Sequence, residues 1–126
     1  MRSWGSNEWR TCVTAGRRAL GARGETLAVR WYEANGFTVL DRNWRCRSGE
    51  LDVVVRRGDT IVFVEVKTRS SDAYGSPASA VTPAKQRRIR ALAVAWLRAH
   101  DEHGAHLRFD VAAVVGNRVD VIEAAF

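Results

Sequence analysis

The chain has 126 residues, of which 46% are hydrophobic and 27% charged, a composition that excludes a fibrous or disordered protein and suffices for one domain with its own core. Lys and Arg number 20 against 14 Asp and Glu, so the formal charge is +6 and polyanions are the favoured partners. The longest apolar runs fall far short of the ~18 residues of a membrane span, and no secretory signal pattern is present, so we expect a cytoplasmic protein without membrane contact.

The first predicted element is a helix. Residues 1–14 show neither a helical nor a strand period, and we expect them to form a flexible N-terminal extension to a single domain over residues 15–126. From Ala15 to Asn35, small and apolar side chains recur at helical spacing, and the Asn35-Gly36 pair is typical of a left-handed helix stop. The domain is therefore expected to begin with this helix.

Three strands are predicted next. The segments Phe37 to Arg45 and Leu51 to Val55 are rich in β-favouring residues, and Thr60 to Thr68 alternates between apolar and polar side chains. The polar Arg56-Arg57-Gly58-Asp59 turn joins the second strand to the third, which predicts a hairpin. We expect this hairpin at the centre of the sheet.

A second helix and two more strands complete the chain. The residues from Ser70 to Pro83 read as a long loop, after which Thr82 is placed to cap a helix that runs to about Ala99. Leu107 to Val115 and Arg118 to Ile122 are predicted strands, joined by a Gly116-Asn117 turn. The order α, β, β, β, α, β, β indicates the α/β class.

Charged residues interrupt the two apolar strands of the predicted hairpin. Glu65, Lys67 and Arg69 fall on one face of the third strand because side chains alternate with a period of two. The hairpin brings Asp52 close to Glu65 and Lys67, and Glu25 is available from the first helix. These oxygen donors suit Mg²⁺ or Mn²⁺, and a lysine beside them can position or deprotonate a water molecule and stabilise a phosphorane charge. The pattern favours phosphodiester hydrolysis, and the alternative is a salt-bridged cluster that closes the open end of the sheet.

Several short motifs together resemble a known family. The following stand in this chain: Gly21-Ala22-Arg23-Gly24-Glu25 with Ala28, Asn35-Gly36-Phe37, Arg42-Asn43, Gly49-Glu50-Leu51-Asp52, Phe63-Val64-Glu65-Val66-Lys67-Thr68-Arg69, Lys85 and Arg108-Phe109-Asp110. This combination, over roughly Ala15 to Val115, resembles the YraN group of bacterial proteins. That group is similar to the restriction-endonuclease-like PD-(D/E)XK superfamily and, within it, to archaeal Holliday-junction resolvases.

The resemblance implies a fold and a set of roles. The fold is a restriction-endonuclease-like αβββαβ core with a mixed central sheet flanked by helices. Asp52 and Glu65 would be metal ligands, Lys67 the catalytic lysine, and Glu25 the acid that completes the metal shell. Leu51 stands where the superfamily pattern has a proline before its first acid.

Basic residues flank the predicted site on both sides. Lys85 and Arg88 lie in the first turns of the second helix, where a phosphate could be held, and Arg69 continues the strand beyond Lys67. Arg42, Asn43 and Arg45 flank the adjacent turn and could contact backbone phosphates. The alternative is ordinary solvated charge.

These observations lead to a main hypothesis and its rivals. We expect a Mg²⁺- or Mn²⁺-dependent nuclease that acts on DNA of branched or otherwise unusual structure, working as a homodimer. A non-catalytic nucleic-acid-binding module of the same fold is the rival from another class, and a scaffold for a repair or RNA-processing assembly is a third. An RNA substrate also stays open, because such a site would cleave either backbone.

Overall fold

The computed structural model describes residues 15–69, 81–104 and 106–126, with side chains from residue 21 onward within these ranges. The predicted N-terminal extension and most of the predicted loop from Ser70 to Pro83 lie outside the described residues, so the division of the chain at residue 15 stays a prediction.

Two helices and five strands make up the described chain. The elements are α1 (Ala15–Ala34), β1 (Thr38–Cys46), β2 (Gly49–Arg57), β3 (Thr60–Arg69), α2 (Pro83–His100), β4 (His106–Val115) and β5 (Arg118–Ile122). The predicted order of elements is confirmed. β2 is longer than predicted at both ends because Gly49 pairs with Cys46 and Arg56 with Thr38 across the β1–β2 ladder. Backbone pairing thus carries the strand through polar residues that the local pattern assigned to turns.

The five strands form one mixed sheet in the order β1-β2-β3-β4-β5. Only β3 and β4 run parallel, and the other neighbours are antiparallel. Parallel neighbours need a crossover connection, and α2 lies within the one that joins β3 to β4. The middle strand is β3, with its hairpin partner β2 beside it. The predicted α/β core with a mixed central sheet is confirmed.

The sheet has a separate apolar core on each face. One core joins α2 to the sheet and includes Leu51, Val54, Ile61, Phe63, Ile89, Leu92, Ala93, Trp96, Phe109 and Val111. The other joins α1 to the opposite face and includes Ala28, Val29, Tyr32, Phe37, Val53, Val55, Val62, Val64 and Ala112. The molecule therefore has three layers, helix, sheet and helix. Neither described helix is long and apolar enough to cross a membrane.

The ends of both helices follow the predicted signals. Thr82 caps α2, its hydroxyl accepting the Lys85 backbone N–H at 3.2 Å, and Pro83 occupies the first turn. After α1, Gly36 has a φ of 86°, the left-handed conformation that glycine adopts without strain. The cap fixes Lys85 in the first turn of α2, above the sheet.

One carboxylate is fully enclosed in the core on the α1 face. Asp110 accepts hydrogen bonds from the Tyr32 hydroxyl at 2.6 Å and from two Arg108 nitrogens at 2.9 Å each. It also accepts the backbone N–H of Ala124 at 3.0 Å. Asp110 thus pairs with the arginine two positions before it on β4. This carboxylate ties α1, β4 and the C-terminal segment together.

Candidate active site

The candidate site lies where β2 and β3 separate. Backbone pairing between them runs from Arg57↔Thr60 to Val53↔Val64. Asp52 and Glu65 are the next residues on each strand. There the Val66 backbone N–H donates to Asp52 Oδ2 at 2.9 Å, so a side chain takes the place of a backbone partner.

We call the point where β2 and β3 stop pairing the fork. Beyond it, each of the two strands still pairs with its other neighbour in the sheet. β3 continues alongside β4 as far as the pair Arg69↔Val115. β2 continues alongside β1, but Asn43 adopts a φ of 55° between the pairs Arg42↔Val53 and Trp44↔Leu51. This irregularity lies across the ladder from Asp52. The strands therefore separate within an otherwise continuous sheet, and the Asp52 carboxylate lies between them, bonded to the Val66 backbone N–H.

The predicted alternation places Glu65 and Lys67 on the face covered by α2. Ile61 and Phe63, four and two positions before Glu65, belong to the core beneath α2. Val62, Val64 and Val66 face the core beneath α1. The acidic and basic side chains at the end of β3 therefore point toward the N-terminal turns of α2.

A lysine from α2 meets this face. Lys85 Nζ lies 2.6 Å from Glu65 Oε2, and the Glu65 side chain is only 12% exposed. Lys67 is close enough to Lys85 for the two amines to shift each other's pKa. Two lysines, the only two in the chain, thus converge on one carboxylate.

The environment of Asp52 disfavours a negative charge. Burial raises the pKa of the Asp52 carboxyl well above its usual value, and the neighbouring Glu65 carboxylate raises it further. The Val66 N–H lowers this pKa, whereas the charges of Glu25 and Glu50 raise it. Three carboxylates, Glu65, Glu25 and Glu50, thus raise the pKa of Asp52.

The two lysines are shifted in opposite directions. Burial lowers the pKa of Lys67, and the adjacent Lys85 ammonium lowers it further against the opposing effect of Glu65. Burial also opposes the charge on Lys85, but its hydrogen bond and ion pair with Glu65 outweigh burial and raise its pKa. Lys85 is therefore the more firmly charged of the pair.

Glu25 reaches the site from the other face of the sheet. It lies on α1 next to Gly24, which packs directly on Thr68 of β3. Its Oε1 is 3.9 Å from an Arg42 nitrogen, and Arg42 also donates to the Thr26 hydroxyl at 3.2 Å. Glu25 acts on Asp52 through its charge.

The oxygen donors at the fork suit a divalent cation in their chemistry. Asp52 and Glu65 are partly buried carboxylates, and a cation between them would offset the effect of Glu65 on Asp52. Hard oxygen ligands are those that Mg²⁺ and Mn²⁺ prefer. Within residues 15–69, 81–104 and 106–126, no three His, Cys, Asp or Glu side chains already lie at metal-binding spacing. The side chains present therefore fit a cation as a pair, Asp52 and Glu65, with Glu25 held by Arg42 nearby.

The predicted nucleic-acid contacts divide into two groups. Arg88 is exposed and lies beside the β1–β2 turn, its Cδ 3.7 Å from the position that a Cβ on Gly49 would take. Arg69 is half-buried at the end of β3. Arg45 is buried, and its guanidinium donates to Glu50 Oε2 at 3.2 Å. Arg88 thus lies beside the β1–β2 turn and Arg69 at the end of β3, four residues beyond Glu65, whereas Arg45 anchors the hairpin.

Two features of the site were not predicted from the sequence. Glu50 adds a third carboxylate near Asp52, besides Glu65 and Glu25, and holds Arg45. Its position two residues before Asp52, at the start of β2, was the available signal. The contact between Lys85 and Glu65 had no local signal, because it depends on how α2 docks over the sheet.

Comparison with known proteins assigns the chain to a family. The uncharacterised protein family UPF0102 matches residues 24–114, which contain the whole candidate site. The chain belongs to UPF0102. This confirms the resemblance to the YraN group.

Curated UPF0102 relatives match over most of their length. A UPF0102 protein from Beutenbergia cavernae is 57% identical over 100 residues, covering 79% of this chain and 85% of the relative. One from Myxococcus xanthus is 50% identical over 121 residues, covering 93% and 96%. One from Acidothermus cellulolyticus is 47% identical over 118 residues, covering 86% and 89%.

Proposed function

We propose that this UPF0102 protein is a metal-dependent nuclease that hydrolyses phosphodiester bonds in cytoplasmic DNA. One observation carries the proposal, the convergence of Asp52 and Glu65 with two lysines at the β2–β3 fork. Lys85 compensates Glu65, but three carboxylates still oppose the ionisation of the partly buried Asp52, and such an arrangement costs stability unless a positive charge offsets it. A catalytic use of these groups accounts for an arrangement that stability alone disfavours.

The residues have distinct roles in this proposal. Asp52 and Glu65 would hold the divalent cation, with Glu25 the third acid close enough to act on Asp52. When bound, the cation supplies Lewis-acid polarisation of a phosphoryl oxygen and a more acidic water molecule. Lys67, whose pKa is lowered, positions or deprotonates the attacking water and offsets the charge that develops on phosphorus.

The choice of DNA rests on charge and shape. The formal charge of +6 favours a polyanion, and the exposed Arg88, one helical turn beyond Lys85, together with the half-buried Arg69 at the end of β3, would receive its phosphates. A domain of this size contacts a limited stretch of duplex, so a homodimer would place two sites on two strands. Branched DNA, which presents strands close together, is the proposed substrate.

A cleavage assay tests the proposal. Purified protein is incubated with four-way junction, flap, single-stranded and linear duplex DNA in Mg²⁺ or Mn²⁺. We expect cutting that chelation abolishes and that Asp52→Asn, Glu65→Gln and Lys67→Met each reduce by a factor of about 100 or more. Asp120→Asn, a change at an exposed carboxylate of β5, is the matched control and should cut like wild type. Cleavage that survives both carboxylate changes would refute the assignment.

A second candidate has its own supporting observation. The Lys85 ammonium already neutralises Glu65 at 2.6 Å, as it would in a site that binds DNA without cutting it. This non-catalytic module predicts salt-dependent DNA binding that persists in Asp52→Asn and no turnover with any metal. The same cleavage series, run beside a binding assay, separates the two functions.

A further inference from the structure

The contact between Lys85 and Glu65 bears on how the proposed site would be loaded. Lys85 Nζ lies against Glu65 Oε2, on one of the two carboxylates best placed to hold a cation. A lysine ammonium has only donors, and a divalent cation approaching the same oxygen is repelled by its charge. The ion pair therefore competes with a cation for Glu65.

Lys85 is able to leave this partner. It extends from the first turn of α2 on a flexible four-carbon stem, and its side chain is 31% exposed against 12% for Glu65. Glu65 is the fixed member of the pair and Lys85 the adjustable one.

A DNA phosphate offers Lys85 a replacement partner. The exposed Arg88 lies one helical turn beyond Lys85, and both stand near the N-terminal end of α2, where backbone N–H groups favour anions. A phosphate at this end of the helix would accept the Lys85 donors and draw the ammonium away from Glu65. The carboxylate would then be available to the cation.

We propose that Lys85 exchanges Glu65 in the free protein for a DNA phosphate in the complex, so that DNA and a divalent cation each strengthen the binding of the other. Such coupling is reciprocal, because the factor by which DNA raises cation affinity equals the factor by which the cation raises DNA affinity. The inference rests on the proposed function and adds to it the order in which the site becomes complete.

Cation binding without DNA is the first test. Free Mn²⁺ is followed by its electron paramagnetic resonance signal as protein is added. We expect Lys85→Met to bind Mn²⁺ about 5- to 10-fold more tightly than wild type. Arg88→Met removes one positive charge from the same helix without touching the ion pair and should change the affinity less than about twofold. Lys85→Arg, which keeps the charge, should stay close to wild type. Equal Mn²⁺ affinity in wild type and Lys85→Met would overturn the inference.

DNA binding is the second test. Anisotropy of a labelled junction is measured with and without Mn²⁺ in a Lys67→Met background, which holds hydrolysis off. We expect Mn²⁺ to tighten DNA binding about fivefold or more in this background and to have little effect once Lys85→Met is added. Coupling that survives the loss of Lys85 would refute the exchange.

The two proposals fail differently. If wild type cuts DNA but Lys85→Met binds Mn²⁺ no more tightly, the exchange is wrong and the nuclease stands. If no variant binds Mn²⁺ and no substrate is cut, the proposed function is wrong and the exchange is refuted with it.

Discussion

Asp52 and Asp110 are two carboxylates in similar strands with opposite surroundings. Asp110 accepts hydrogen bonds from Tyr32, from two Arg108 nitrogens and from a backbone N–H, so its charge is fully compensated. Asp52 accepts a backbone N–H from Val66 and faces Glu65, a like charge. The full compensation of its charge is typical of a structural role for Asp110, and the smaller compensation at Asp52 is what the proposed cation would make up.

The repulsion at Asp52 predicts a dependence of stability on pH. The raised pKa means that the folded state keeps a proton that the unfolded state loses from about pH 4 upward. Stability therefore falls as the pH rises from that value to the folded pKa, and the full penalty applies above it. With divalent cations chelated, we expect Asp52→Asn to raise the free energy of unfolding at pH 8 by about 1 kcal/mol. The amide oxygen can still accept the Val66 N–H.

Urea denaturation of wild type and Asp52→Asn at pH 4, 6 and 8 checks this prediction. At pH 4 the unfolded state also keeps a large share of its Asp52 protons, so the advantage of the variant should be smallest there. Asp120→Asn, at an exposed carboxylate, supplies the control for a change in net charge. A variant that is less stable than wild type at pH 8, or whose advantage is the same at every pH, would show that the Asp52 charge is not the cause.

Some of the contacts of these residues can be predicted from the sequence pattern, and others cannot. The period of two places Glu65 and Lys67 on one face, and hairpin geometry brings Asp52 to them, because both are local rules. The contact of Lys85 with Glu65 depends on the docking of α2, which is separated from β3 by a long stretch of chain. The pairing of Asp110 with Arg108 could be predicted, because the two are close in sequence. Its hydrogen bond with Tyr32 could not, because Tyr32 is 78 residues away.

At the scale of elements, the approach of α1 to β3 sets the position of Glu25. Gly24 packs on Thr68 so closely that a Cβ there would overlap the Thr68 hydroxyl and lie 3.1 Å from its Cβ. Any larger side chain must push α1 away from the end of β3. Gly24 thus controls how near Glu25, the next residue, comes to the fork.

A pair of alanine substitutions in α1 tests this contact. We expect Gly24→Ala to lower the free energy of unfolding by about 1–3 kcal/mol and to weaken cleavage, because the helix must shift. Gly21→Ala, at a position with nothing within 4 Å, should instead stabilise by up to about 1 kcal/mol through helix propensity alone. Chemical denaturation and the cleavage assay measure both effects.

Restoring space at β3 provides the decisive comparison. Thr68→Ala removes the hydroxyl and methyl that the new Cβ would meet, so Gly24→Ala/Thr68→Ala should recover part of the lost stability and activity. If the two changes simply add, the packing of α1 on β3 does not position Glu25.

The strand boundaries show where local patterns stop being informative. Periodicity and turn residues were enough for the order of seven elements, because each apolar segment is bounded by Gly, Pro or Asn. The polar ends of β2 were missed, since cross-strand pairing with β1 holds them. The positive φ of Asn43, across the ladder from Asp52, could not be predicted from the sequence either.

For the whole molecule, the distribution of charge decides how DNA would be oriented. The excess of six positive charges attracts DNA from any direction, so orientation depends on the basic residues that border the fork. On α2, Arg88 lies near the end that carries Lys85, and Arg98 lies near the opposite end; both are exposed. These two arginines share a helix and a charge but differ in their distance from the site.

Salt dependence distinguishes a contact near the fork from general attraction. Each phosphate contact adds about 0.9 to the slope of log affinity against log salt for duplex DNA. We expect Arg88→Ala to reduce this slope by about 1 and to weaken binding to all sequences alike, as the loss of a phosphate contact would. Arg98→Ala should leave the slope within error of wild type. Binding isotherms of a labelled junction from about 50 to 200 mM salt give both slopes. Equal slopes for the two variants would mean that DNA does not lie across the N-terminal end of α2, and the fork would then lack a route to its substrate.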